Sequence, residues 1–258
     1  MNVQDPVGVV RLFRVEHHGA PVHAVERDGS FRLLEGDIYA GPPYRAGADI
    51  KPARILAPVA PSKIVGIGLN YKDHAAERNK PLPPEPLMFT KPSTAVIGPD
   101  EPIRIPSNVG RVDYESELGV VIGKRASRVT ADRALEYVLG FTCVNDVTAR
   151  DLQARDVQYT RAKGFDTFAP IGPCVAIGLD FGTLDIEGWL NAERRQSSNT
   201  RQLIFSVPDI IAFVTAVMTL LPGDVIATGT PAGIGPLSPG DRFTVKIEGI
   251  GELANPVA

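Results

Sequence analysis

The sequence predicts a strand-rich chain of mixed α and β structure, with a small N-terminal β unit leading into a larger domain. Three observations carry this reading. Residues 8–34 divide into three short strand-like runs, separated by the turn signals His18-Gly19 and Asp28-Gly29-Ser30. Residues 41–62 are rich in Pro, Ala and Gly without clear periodicity, which places a linker between a unit at 1–60 and one at 61–258. Beyond it, runs such as Leu118–Ile122 are apolar on both faces, as in a strand covered on both sides. A chain of 258 residues has room for one large domain or for a large one and a small one.

Composition excludes several classes of function. Hydrophobic content of 43% and charged content of 22% are those of an ordinary globular protein. A net charge of −3, with no dense Lys/Arg cluster, gives no electrostatic case for a nucleic-acid partner. The two cysteines lack CxxC spacing, which argues against a disulfide scaffold and fits a reducing compartment. No run approaches the roughly 18 apolar residues of a membrane span, and the N-terminus has no apolar signal core. The expected address is the cytoplasm, with no membrane partner. No HExxH motif or other dense His/Cys spacing is present, which disfavours zinc.

In chain order, the first strands are Val9–Phe13, Val22–Val25 and Phe31–Leu34. His17, His18 and His23 read as exposed hairpin residues, because a metal cluster there would need an unsupported fold-back. Lys63–Gly68 is a short buried strand, followed by a helix-forming segment from Leu69 to Arg78 that ends before Pro81. His74 and Glu77, three apart, share a face of that helix. A carboxylate beside an imidazole orients it and raises its basicity, so the pair is either a general base or a surface pair on a mobile lid. The four prolines of residues 80–86 form an irregular connection on which the segment could move.

The run from Val112 to Gly123 organises the chain. As one strand it places Glu115 and Glu117 on the same face, at the mouth of an apolar stretch. Like charges that close repel, and burial makes ionisation costlier. Either these are solvated glutamates at a surface strand end, or a hard divalent cation compensates them. A short helix at Ala131–Leu135 precedes a buried strand ending at Asn145-Asp146, then a helix over Val147–Arg155. Local sequence leaves Asp146 open between that helix's N-cap and a functional carboxylate. Arg150 and Gln153 share a helix face and together could grip a carboxylate. Cys143 reads as a core thiol rather than a nucleophile.

Arg161–Pro173 is loop-like and leads into a strand at Cys174–Gly178. Lys163 in it is either a surface lysine lying along apolar surface or an anion anchor. A helix starting near Pro208 fills Ile204–Leu221, and Val225–Ala227 is a strand. Thr228–Gly235 lacks the Gly-Lys-Ser/Thr ending of a nucleotide loop. It reads as a glycine-rich turn that brings the Thr230 hydroxyl and backbone amides to a small anion. An alternating strand at Arg242–Glu248 closes the chain.

These pieces, in this order, resemble the fumarylacetoacetate hydrolase superfamily. The matching runs are Gly68-Leu69-Asn70-Tyr71 with His74 and Glu77, Asp113–Leu118, Asn145-Asp146 with Arg150-Asp151 and Gln153, Lys163–Asp166, and Thr228–Pro231. They span roughly residues 62–254, and the first 60 residues correspond to the small N-terminal domain of bacterial members. The resemblance implies an α+β fold with a strongly β catalytic domain, its strands rolled around a metal site. It implies that Glu115, Glu117 and Asp146 bind Mg²⁺ or Mn²⁺, and that the substrate is a 2-oxo or 2-hydroxy-enol acid. Lys163 and Arg150 would hold that acid, Gln153 and Thr230 would add hydrogen bonds, and Tyr71 would shape the entrance. His74 with Glu77 would activate water for C–C cleavage, as in an acylpyruvate hydrolase, and loss of CO₂ by an oxaloacetate-type decarboxylase would use the same enolate. The alternatives are isomerisation of a 2-hydroxyhepta-2,4-diene-1,7-dioate-like acid from aromatic catabolism, or a non-catalytic binder on the same scaffold. Relatives are commonly dimeric, so a homodimer is expected. Many carry Arg where this chain has Leu69.

Overall fold

The computed structural model describes residues 8–27 and 29–258. Asp28, part of the second turn signal, lies outside them. The three N-terminal strands are longer than their apolar runs: β1 (Val10–His17), β2 (Ala20–Arg27) and β3 (Ser30–Glu35). The stretch read as a linker carries two strands, β4 (Arg45–Ile50) on β3 and β5 (Arg54–Leu56) on β1. Backbone pairing there supplies the order that the Pro- and Gly-rich sequence conceals. Next come β6 (Lys63–Gly68), α1 (Lys72–Glu77), β7 (Leu87–Pro92) and β8 (Val96–Ile97).

The Val112–Gly123 run is not one strand. It divides at Glu115 into β9 (Val112–Tyr114) and β10 (Ser116–Ile122), which join different sheets. After a 3₁₀ segment at Ala131–Tyr137 comes β11 (Val138–Asn145). The helix expected over Val147–Arg155 begins late. Thr148–Ala149 pairs with β9 as β12, and α2 spans only Arg150–Arg155, capped by Ala149 without a side-chain bond. Asp146 is therefore not its N-cap. The following loop is shorter than expected, since α3 (Thr160–Lys163) takes in Lys163 and β13 (Ala169–Ile177) starts five residues before Cys174.

The chain continues through β14 (Asp185–Leu190), β15 (Glu193–Asn199), α4 (Val207–Val217), β16 (Val225–Ala227), β17 (Gly235–Pro236), β18 (Arg242–Ile247) and β19 (Gly251–Pro256). Pro208 sits in the first turn of α4 and Ser206 caps it, accepting from the Asp209 N–H. The last strand is β19, not β18; it pairs back on β18 in a four-stranded sheet.

A 12-stranded sheet dominates, ten strands in the order β4-β3-β2-β1-β13-β11-β10-β16-β6-β7 with β5 added on β1 and β8 on β13, and most of its pairings are antiparallel. The N-terminal meander is continuous with it, because Val10–Leu12 pair with Ile177–Val175 of β13. This is a β-dominated α+β architecture with few, short helices. The period-2 reading of β10 holds: Leu118, Val120 and Ile122 enter one apolar cluster while Val121 enters another with Val144. Ser116 pairs with Asn145, so the start of β10 and the end of β11 meet. That meeting point is where the acidic residues gather. Among the described residues, no helix is long and apolar enough to cross a membrane.

Candidate metal and active site

Glu115 occupies the break between β9 and β10. Its N–H donates to Asn145 Oδ1 at 3.0 Å, and its carbonyl accepts the Asp146 N–H at 2.9 Å. Two backbone contacts thus lock the turn after β11 against the turn before β10. Glu117 follows on β10 and accepts the Gly229 N–H at 2.8 Å. Gly229 has φ +102°, and a Cβ on it would lie 2.7 Å from the Cβ of Asn70, so only glycine brings this amide to the carboxylate. One oxygen from each of Glu115, Glu117 and Asp146 lies within 4.8 Å of the others, and all three residues are buried.

Four cations surround this cluster. Lys163 Nζ donates to Glu115 Oε2 at 2.9 Å and to Asp146 Oδ2 at 2.5 Å, and it lies 4.8 Å from the centre of the Phe89 ring. Arg150 uses all three guanidinium nitrogens: Nη2 to Glu115 at 2.5 Å, Nη1 to Gln153 Oε1 at 2.5 Å and Nε to Asp113 at 2.9 Å. Arg111 Nε closes on the other Asp113 oxygen at 2.6 Å. Lys91, on β7 and fully buried, donates to Asp146 Oδ1 at 2.5 Å and to the Val147 carbonyl at 3.1 Å.

The charges are unevenly shared. Burial opposes ionisation of Glu115, but Lys163 and Arg150 outweigh it and hold its carboxyl down at about 2. Glu117 has no such partner. Burial, then Asp146 and Glu115, push its carboxyl well above the usual range. Lys163 stays charged despite burial because Asp146, Glu115 and Glu117 face it, whereas burial dominates at Lys91 and lowers its pKa.

His74 is 8% exposed, and its Nδ1 lies 3.1 Å from Glu77 Oε2. The other Glu77 oxygen accepts the Gly233 N–H at 3.1 Å, which ties α1 to the Thr228–Gly235 turn. A cavity of ≈ 120 Å³ brings His74, Glu115, Glu117, Asp146, Arg150, Gln153, Lys163 and Thr230 into one lining. Thr230 Oγ1 accepts from Gln196 Nε2 at 2.8 Å, which leaves its own proton free to donate. Tyr71 does not line this cavity. It is fully buried in the apolar core, and burial, then Glu117 and Asp73, raise the pKa of its hydroxyl. It is a core residue rather than one at an entrance. Both cysteines are buried, with burial raising each thiol, as core residues should be.

Residues 63–258 match the family described as fumarylacetoacetate (FAA) hydrolase, C-terminal. The chain belongs to that family. An uncharacterised protein of Archaeoglobus fulgidus is 52% identical over 228 residues, covering 88% of this chain and 90% of its own. The mitochondrial oxaloacetate tautomerase fahd2 of Xenopus laevis is 40% identical, over 79% of this chain and 68% of its own. A crystal structure of a 2-hydroxyhepta-2,4-diene-1,7-dioate isomerase from Mycobacterium marinum superposes with a TM-score of 0.88. It shares 40% identity and covers 96% of this chain and 98% of its own.

The acidic cluster of this fumarylacetoacetate hydrolase-family chain suits a hard divalent ion. Three carboxylate oxygens converge, and hard cations such as Mg²⁺ take oxygen ligands and keep positions for water or substrate. Glu117 supplies the key observation: it is a buried carboxyl facing two others, and among the described residues no cation is bonded to it. Sequence reading missed three supports of the site, namely Lys91, Asp113 as the anchor of Arg150, and Gln196 as the anchor of Thr230.

Proposed function

We propose that the protein is a divalent-metal-dependent enzyme that cleaves a C–C bond in a short 2-oxo (or 2-hydroxy-enol) acid, as an acylpyruvate hydrolase or an oxaloacetate-type decarboxylase. One observation carries this: three converging buried carboxylates and the His74 imidazole, itself bonded to Glu77, face the same small cavity. Glu115, Glu117 and Asp146 would hold Mg²⁺ or Mn²⁺. When bound, such an ion supplies positive charge beside the substrate oxygen on which negative charge develops.

The chain's own residues account for the rest. Glu77 accepts from His74 Nδ1, which leaves Nε2 as the basic nitrogen able to take a proton from water or from C3 of the acid. Lys163 keeps a cation at the floor of the cavity, and Thr230 can donate its hydroxyl proton to an acid oxygen. Phe89, Leu87 and Leu69 line the same space and limit water around the base.

Isomerisation or tautomerisation is the second reading, supported by the names of the Mycobacterium marinum and Xenopus laevis proteins. It needs the same base but no attacking water. A screen of acylpyruvates, oxaloacetate and hydroxymuconate-type acids with added Mg²⁺ tests both. Cleavage products that vanish with EDTA support the first reading. Proton exchange at C3 without cleavage moves the second ahead, and inertness towards every acid overturns both.

A further inference from the structure

The cavity holds two kinds of cation. Arg150 and Lys163 lie at its inner end and are bonded to carboxylates. Arg78 and Lys80 also line it, yet both are exposed, and among the described residues neither forms an ion pair. Their positions are set by the way α1 ends. Asn79 takes φ +49° and donates to the Ala76 carbonyl at 3.1 Å, while the Lys80 N–H reaches the Ala75 carbonyl at 3.0 Å. This double closure is the Schellman arrangement, with asparagine in the left-handed position. It fixes the backbone of 78–80 one turn past His74, so that both side chains can reach the cavity mouth.

Charge balance says what they face. In the interior, Lys91, Lys163 and Arg150 match Glu115, Glu117 and Asp146 in number, and Arg111 offsets Asp113. A divalent ion would leave that interior with two positive charges, and a substrate with one carboxylate neutralises only one. The next wall is apolar, from Ile67, Leu69, Leu87 and Phe89. Of the remaining polar lining groups, Gln153 is bonded to Arg150 and Tyr159 carries no charge, so among the described residues Arg78 and Lys80 are the lining cations without a carboxylate partner. The cavity is small, ≈ 120 Å³, so the ligand is short and its far end lies at that mouth.

We infer that Arg78 and Lys80 bind the distal carboxylate of a short 2-oxo dicarboxylic acid and set a preference for dianionic over monoanionic substrates. This rests on the oxo-acid reading of the inner site. It assigns a specificity role to residues outside the metal and base groups.

The test uses two stable acids of equal chain length that differ only in the far carboxylate, 2-oxoglutarate and 2-oxovalerate. Binding is measured by calorimetry with Mg²⁺ present, on the full chain and on Arg78→Ala, Lys80→Ala and the double variant. The parent should bind 2-oxoglutarate about tenfold or more tighter, the usual worth of a charge-assisted hydrogen bond. The double variant should bring the two affinities within about twofold while leaving 2-oxovalerate affinity unchanged, and Arg78→Lys should retain part of the preference. Both residues are exposed, so an unchanged thermal unfolding midpoint is expected and checks folding. Equal affinities in the parent, or a preference that survives in the double variant, overturn the inference while the oxo-acid reading stands. If neither acid binds in the presence of Mg²⁺, both fall.

Discussion

The inner cluster and the α1 segment face one cavity but are built differently. Glu115, Glu117 and Asp146 sit on the ends of adjacent strands and are almost fully buried; Lys91, Lys163 and Arg150 bond to Glu115 and Asp146 at 2.5–2.9 Å, while Glu117 accepts the Gly229 N–H. The base pair His74–Glu77 rides on a helix of six residues, followed by a connection that is exposed at nearly every position from Glu77 to Glu85. What holds α1 is a handful of long-range bonds. Asn70 exchanges hydrogen bonds with Phe205 and donates to the Thr228 carbonyl, Asp73 accepts from Ser198, and Glu77 accepts from Gly233. In the proposed mechanism, electrostatic preorganisation would lie on the strand ends and proton transfer on the short helix α1. Asn70 is buried and tightly bonded, so the helix-forming segment expected to move on the 80–86 connection is anchored at its start.

The strongest way to break this comparison is Glu117→Ala. Metal-dependent turnover should be abolished while the circular dichroism spectrum stays that of the parent, and undiminished turnover would remove the triad from the mechanism. His74→Ala should lose about 10²–10⁴ in rate, the usual worth of general acid–base catalysis. Metal affinity should survive, because His74 belongs to the other region; a loss of Mg²⁺ binding in this variant would show that the two are not separable.

Lys91→Met tests the rigidity of the inner cluster. It removes a buried cation from Asp146, a change that typically costs about 3–5 kcal/mol, and Lys163 on the other oxygen should hold the loss near the lower end. Urea unfolding reads it, and a loss below about 1 kcal/mol would mean that Lys91 is not needed there.

Glu117 gives a pH signature. Its folded pKa is raised, so the ionised form is disfavoured by folding, and metal-free stability should fall as pH rises above the ordinary carboxylate range. Glu115 has the opposite sign: its contribution is present above the unfolded value and is lost as pH falls towards about 2. Mg²⁺ binding should therefore release a proton from Glu117. Calorimetry in two buffers of different ionisation enthalpy measures this, and Glu117→Gln should abolish the release. The smallest effect is dynamic. Amides of residues 78–86 should exchange quickly without ligand and slow with oxalate plus Mg²⁺, while Asn70 and Tyr71 stay protected in both. Equal exchange of 78–86 in the two conditions would remove the lid.

Local sequence was enough to bring Glu115 and Glu117 together. A period of two within one short run decides which side chains share a face, and the face survives the break at Glu115. The His74–Glu77 pair was legible for the same reason on a helical period, as was the core setting of Cys143. The late start of α2 was not, because Thr148 and Ala149 are held by pairing with Asp113 and Val112, well upstream in the chain. The same holds for Lys91 on Asp146, Asp113 on Arg150, Gln196 on Thr230 and Gly233 on Glu77. Read alone, a lysine or glutamine in a strand belongs on the surface, since burying it without a partner costs several kcal/mol. Only the neighbour order of the strands brings the partner that offsets that cost, and neighbour order is a property of the whole sheet rather than of any stretch of the chain.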